Sequence, residues 1–203
     1  MTRPLAVLAC LALAACAPSQ VVSTRATDWR AVATGADREK LREWRSAFVE
    51  GLSEARAAGH GAAIAGEGVL LDPDAALGGG PIPNGLYRCR VIKLGARSPG
   101  MLPYIAYPPF TCRVRQEHGL QGFAKLSGSQ RQVGLIFPGD ALRQVFLGTL
   151  ILGDETRAMQ YGSDPDRDVA AFVERIGEAR WRMVIPRPAF ESDTDVIELV
   201  PAS

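Results

Sequence analysis

Before residue 59 the hydrophobic positions recur every three to four residues; from residue 85 onward they alternate with a period of two. The second pattern predicts strands over residues 86–94, 104–116, 120–126, 131–137, 143–152, 168–176, 179–186 and 195–199. The breaks carry turn chemistry: His118-Gly119, Ser127-Gly128, Pro138-Gly139-Asp140 and Gly177-Glu178. Many strands joined by short connections imply an antiparallel meander, and a sheet of that length tends to curl and close. The expected fold is therefore mainly β with an N-terminal helix (α+β), curled into a small barrel; a two-sheet sandwich is the alternative. In the first pattern, Leu41, Trp44, Phe48, Leu52 and Ala55 form one stripe, with Arg38, Glu39, Arg42, Glu43, Arg45 and Glu50 opposite. This is an amphipathic helix of about five turns, opened by Asp28-Trp29, strengthened after an N-cap at Thr34 and ending near Gly59. Its polar face mixes both signs, so core packing on the β-domain is expected rather than a lipid surface. Residues 60–84, rich in glycine and proline, read as a linker or long loop before a β-domain over 85–203.

The first twenty residues differ in kind. Arg3 gives a short positive start, an apolar run follows, and small residues lead to Cys16. That is a secretory leader, too short to span a bilayer as a helix. Its end, Leu13-Ala14-Ala15-Cys16, resembles the bacterial lipobox, in which cleavage leaves a lipid-bearing cysteine at the new N-terminus. The expectation is a signal peptide over 1–15, lipidation of Cys16, a polar tether over 16–27, and a stable membrane anchor facing the periplasm. Ala17 rather than aspartate follows the cysteine, which favours the outer membrane. Residues 144–153, the strongest later apolar stretch, are too few to span and read as a buried strand.

Charge then narrows the partners. Removing Arg3 with the leader leaves 22 basic against 22 acidic side chains, without the basic excess of a nucleic-acid binder. The remaining cysteines, Cys89 and Cys112, sit in the inward phase of successive strands, between outward arginines, and the leader routes them to an oxidising compartment. A disulfide between them would close a loop of about 24 residues and contribute about 3 kcal/mol. A reactive thiol or a metal ligand is the weaker reading, since no histidine lies near and ligand spacing is lacking.

Catalytic patterns are scarce. His60 lies in the linker and His118 at a turn, and no phosphate-cradling, dinucleotide or serine-nucleophile motif occurs. Ser129 belongs to a tight turn. Asp164, Asp166 and Asp168 alternate like the start of a calcium loop, but Val169 and Arg175 occupy the positions that need glycine and glutamate. Glu174, Arg175, Arg180 and Arg182 are expected as cross-strand ion pairs on the outer face, with Trp181, Met183 and Ile185 in the core. No catalytic residue, metal or cofactor is assigned.

The stretches Asp28-Trp29-Arg30, Leu41-Arg42-Glu43-Trp44-Arg45, residues 87–95, 125–131, 145–150, 174–177, 180–182 and 195–200 together resemble the bacterial family catalogued as domain of unknown function 4893. The resemblance covers essentially the whole mature chain and implies an alphaproteobacterial envelope protein. It implies no activity and carries over no site residue. The functional expectation is a non-enzymatic domain binding a small apolar ligand or an envelope protein. The contrasting class is a hydrolase or other enzyme with an unrecognised site.

Overall fold

The computed structural model describes residues 21–23 and 27–202; the leader over 1–15, Cys16 and the rest of the tether lie outside the described residues. Nine strands follow the helices: β1 (Gly85–Leu94), β2 (Tyr104–Ala106), β3 (Phe110–Glu117), β4 (Leu120–Lys125), β5 (Gln130–Phe137), β6 (Arg143–Leu152), β7 (Asp168–Gly177), β8 (Arg180–Pro186) and β9 (Thr194–Pro201). All pairings are antiparallel, and β9 returns to pair with β1, so eight strands close a barrel while β2 adds to the end of β1. The single strand expected over 104–116 is two, because Pro108 and Pro109 between them lack the N–H groups a ladder requires. Closure leaves no open edge in the barrel itself.

One phase of the alternation fills the interior. Tyr87, Cys89, Val91, Cys112, Val114, Phe123, Phe146, Trp181, Met183 and Leu199 belong to one buried cluster drawn from every side of the barrel. The rings of Phe123 and Phe146 meet edge to face at 5.6 Å, and those of Tyr87 and Trp181 at 6.1 Å. Gly134 and Gly148 stand opposite each other in β5 and β6, and a Cβ on either would strike the facing strand's backbone. The missing side chain of Gly148 also leaves the ring of Phe146 its room. Cys89 and Cys112 form a disulfide with 5.9 Å between Cα atoms. In register Cys89 faces Phe110 and Cys112 faces Tyr87, so the bridge runs diagonally between β1 and β3.

Helices cover much of the outer face. They are α1 (Trp29–Val32), α2 (Gly35–Arg42), α3 (Trp44–Ala55) and α4 (Gly61–Glu67), with a π turn at Arg56–His60 and a 3-10 turn at Gly68–Leu71. The single helix expected over 28–59 is thus several pieces. Asp28 and Thr34 accept hydrogen bonds from the backbone N–H groups of Arg30 and Asp37, so each caps its own start. Nor does helix end at Gly59: its φ of 93° redirects the chain, and helix resumes through the first half of the stretch expected as linker. Phe48 and Leu52 of α3 pack with Ile92, Leu94, Val184 and Val196, and Gly51 lets the helix approach the Leu94 backbone. Leu41 of α2 joins Leu135, Phe137, Val145 and Leu147 in a second outer cluster that also contains Val22. The backbone N–H of Tyr161 donates to the Val21 carbonyl at 2.7 Å. The expected tether is therefore docked at its Val21-Val22 step.

The rest of the expected linker closes one end of the barrel. Ile82 is buried with the interior cluster, Gln121 donates to its carbonyl at 2.6 Å, and the Tyr87 hydroxyl donates to the Pro83 carbonyl at 2.5 Å. Leu77 pairs with Arg175, whose guanidinium donates to the Gly78 carbonyl at 3.0 Å.

Glu174 and Arg182 do face outward, but not into water. Both are fully buried under the helical layer, 2.7 Å apart. Arg182 donates to the carbonyls of Leu70 at 2.8 Å and Asp72 at 2.6 Å, while Arg143 reaches the other Glu174 oxygen at 2.6 Å. A carboxylate and a guanidinium out of water are sustained only by this complete set of partners.

Candidate functional site at the barrel mouth

At the end opposite Ile82, the inward phase turns polar. The last inward positions of β1 and β4 are Lys93 and Lys125, and the first of β5 and β9 are Gln130, Gln132 and Asp195. Inward side chains at a barrel's rim lie where the apolar layers stop, so this end is where polar groups gather. Three connections roof it: residues 107–109, 126–129 and 187–193. Between them lies a cavity of about 340 Å³ lined by Val91, Tyr107, Pro108 and Phe110 together with these polar groups and Glu191.

The two lysines differ in company. Lys93 Nζ stands 3.2 Å from Asp195, 3.0 Å from Glu191 and 3.3 Å from the Gln130 side-chain oxygen. Burial works against its charge, yet the two carboxylates outweigh it and hold its pKa above the ordinary value. Asp195 is pushed up by its complete burial, against the opposing pull of Lys93 and the Ser192 hydroxyl, which donates to it at 2.5 Å. Lys125 touches no carboxylate. Its ammonium donates to the Gln130 backbone carbonyl at 2.7 Å and lies 3.9 Å from the centre of the Phe110 ring. Burial first, then repulsion by Lys93 and Arg131, lower its pKa to about 8.

Gln132 is 4 % exposed, and its side-chain oxygen has no hydrogen-bond partner. A buried acceptor without a protein donor is destabilising by about 1–3 kcal/mol, which sets Gln132 apart from the paired groups around it. Behind it a 20 Å³ space, room for about one water, is bounded by Gln132, Lys93, Asp168 and Lys40. Lys40 and Asp168 also border a surface hollow of about 390 Å³ beside α2. There Lys40 pairs with Asp37 at 3.0 Å, and Asp37 accepts from the Tyr161 hydroxyl at 2.7 Å.

The sequence-level candidates fall mostly outside this site. The Cys89–Cys112 disulfide is buried in the barrel wall below it. Ser129 borders the cavity within its turn, where its carbonyl accepts from the Gly153 N–H at 2.8 Å. His60 stacks on Tyr104, and His118 sits at a hairpin turn with φ of 47°. Asp164 accepts from the Asp166 N–H at 3.0 Å, an Asx turn. Lys93, Lys125, Gln132 and Asp195 were not singled out by motif, but a compositional signal was present. Of 23 lysines and arginines only Lys40, Lys93 and Lys125 are lysines, and all three border the mouth cavity or the spaces continuous with it.

A family model described as Domain of unknown function (DUF4893) matches residues 29–199. No curated protein and no solved structure matches the chain.

Proposed function

The chain belongs to the family described as Domain of unknown function (DUF4893), and on the strength of its barrel mouth we propose a non-enzymatic envelope domain that binds a small ligand there. The observation that carries this reading is the 340 Å³ mouth cavity, with apolar and aromatic side chains facing a few converging polar groups. Its volume lies in the range of small-ligand sites, roughly 300–1,000 Å³, and its lining is more polar than theirs, which suits a ligand with a polar end. The barrel's central space is filled by Phe123, Phe146, Trp181 and Met183, so the ligand enters only to the rim. Its apolar part lies against Tyr107, Pro108 and Phe110; its polar end meets Lys125 and the free oxygen of Gln132. The ligand is thus amphiphilic, a refinement of the purely apolar occupant expected from the fold class. Cys16 bears the lipid, and the domain faces the periplasm, with the outer membrane favoured by Ala17.

Two experiments test the two halves. Titrating the isotope-labelled protein with octanoate and with octanol should shift amide resonances around Tyr107, Phe110, Gln130 and Gln132. Shifts absent there, or concentrated elsewhere on the molecule, overturn the mouth as the site. Membrane fractionation of wild type and Cys16→Ser should move the variant to the soluble fraction; equal partition of both removes the anchor.

A further inference from the structure

Lysine is rare in this chain and its placement is selective. Arginine supplies the surface charge and every outer ion pair described above except that of Lys40 with Asp37, whereas the two lysines on inward strand positions both stand at the barrel mouth. The two residue types differ in one chemical respect that matters here. A guanidinium stays protonated at any physiological pH, while an amine can lose its proton and become a nucleophile when buried beside another cation. Lys125 has that environment: it is 6 % exposed, has no carboxylate contact, rests on an aromatic face and borders an open cavity. Lys93, across the same cavity, is held charged by Asp195 and Glu191 and supplies the neighbouring positive charge.

We infer that Lys125 is a carbonyl-capturing amine, which forms a reversible imine with a small aldehyde or ketone seated in the mouth cavity. The inference rests on the mouth being the ligand site and names the class of ligand. The neutral amine's lone pair attacks the carbonyl carbon, forming the C–N bond, and the oxygen takes a proton to give a carbinolamine. The C–O bond then breaks and the nitrogen loses its second proton, so one water leaves as the C=N bond forms. No oxidant or reductant is needed, and hydrolysis reverses each step. The apolar wall of Tyr107, Pro108 and Phe110 holds the carbonyl compound's hydrocarbon part. Burial, then Lys93 on β1 and Arg131 on β5, favour the neutral amine, Asp195 on β9 opposes them, and Glu191 in the roof is the other charged group lining the cavity.

The test uses the full chain carrying Cys16→Ser, propanal as the probe and cyanoborohydride to fix the imine, with peptide mapping by mass spectrometry. At neutral pH an amine with pKa near 8 has a neutral fraction about a hundredfold above that of an ordinary lysine. Lys125 should therefore carry the propyl adduct at least about tenfold faster than Lys40, with the rate levelling off above about pH 8. Lys125→Arg, which keeps the charge, should abolish that adduct; Arg131→Gln should move the rate profile to higher pH. Labelling of Lys125 no faster than Lys40 overturns the proposal in the wild type, whatever the variants do. If octanoate still perturbs the mouth when Lys125 is unlabelled, imine formation fails and the binding site stands; if neither occurs, both fall.

Discussion

Lys125 keeps its charge in the folded protein against burial and two neighbouring cations. Its native pKa of about 8 lies below the unfolded value of 10.5, so between those limits the unfolded chain binds more protons and stability rises with pH. Below pH 8 the full penalty is present, at most about 3 kcal/mol for a shift of this size. Lys125→Met removes the charge and keeps the length. Its melting temperature should exceed the wild type's at pH 7, and the gap should narrow by pH 10; a gap independent of pH counts against a costly native charge. Residue chemistry of this kind left little trace in the sequence. Lys93 and Asp195 read there as ordinary members of alternating strands, because alternation states which face a side chain takes and not how far along the barrel it lies. The scarcity of lysine was visible, but only the fold brings the three together.

At the scale of elements, the outward face of β7 and β8 shows where pattern reading stops. The cross-strand pairing of Glu174 with Arg182 follows from the hairpin at Gly177-Glu178, yet its burial depends on a helical layer more than a hundred residues upstream. Strands were legible because apolar residues alternate over eight stretches. The covering turn at Gly68–Leu71 was not, since the glycines and prolines of residues 60–84 signal irregular chain whether it is solvated or packed. Glu174→Ala leaves the Arg182 guanidinium buried without a counter-charge and should destabilise by about 3–5 kcal/mol in chemical denaturation. Little change would show that water reaches Arg182. The cysteine pairing was legible from the shared inward phase together with the leader and the lack of other unassigned thiols, although the diagonal register was not. Replacing both by alanine should lower stability by about 3 kcal/mol, by loss of the loop constraint on the unfolded chain. An equal melting point in reduced and oxidised wild type would contradict this.

The whole molecule has unlike ends: in one the barrel interior is capped by the Ile82 segment, in the other it ends in the charged inward side chains of Lys93, Lys125 and Asp195. The docked Val21-Val22 step lies beside Tyr161, which belongs to the β6–β7 connection at the same end of the barrel as the mouth. Five residue steps lead from Cys16 to Val21, at most about 18 Å of extended chain. On the lipid-anchored reading the mouth therefore sits near the bilayer, well placed for an amphiphile leaving it. Val22→Asp should release this step, seen as faster hydrogen exchange at the Tyr161 amide with the barrel's own amides unchanged. Unaltered exchange at Tyr161 would show that the Val22 contact does not hold the tether.

The pairing of β1 with β9 also governs the order in which the protein comes into being. The strand made first needs the strand made last, so the ring cannot shut until nearly the entire chain has been synthesised. Until then a growing meander presents two bare edges, and joining them carries the largest loop-closure entropy in the fold. Newly made chains thus pass through a sticky interval that lasts until β9 reaches β1, and in it the bare edge of β1 invites the β9 of a neighbouring copy.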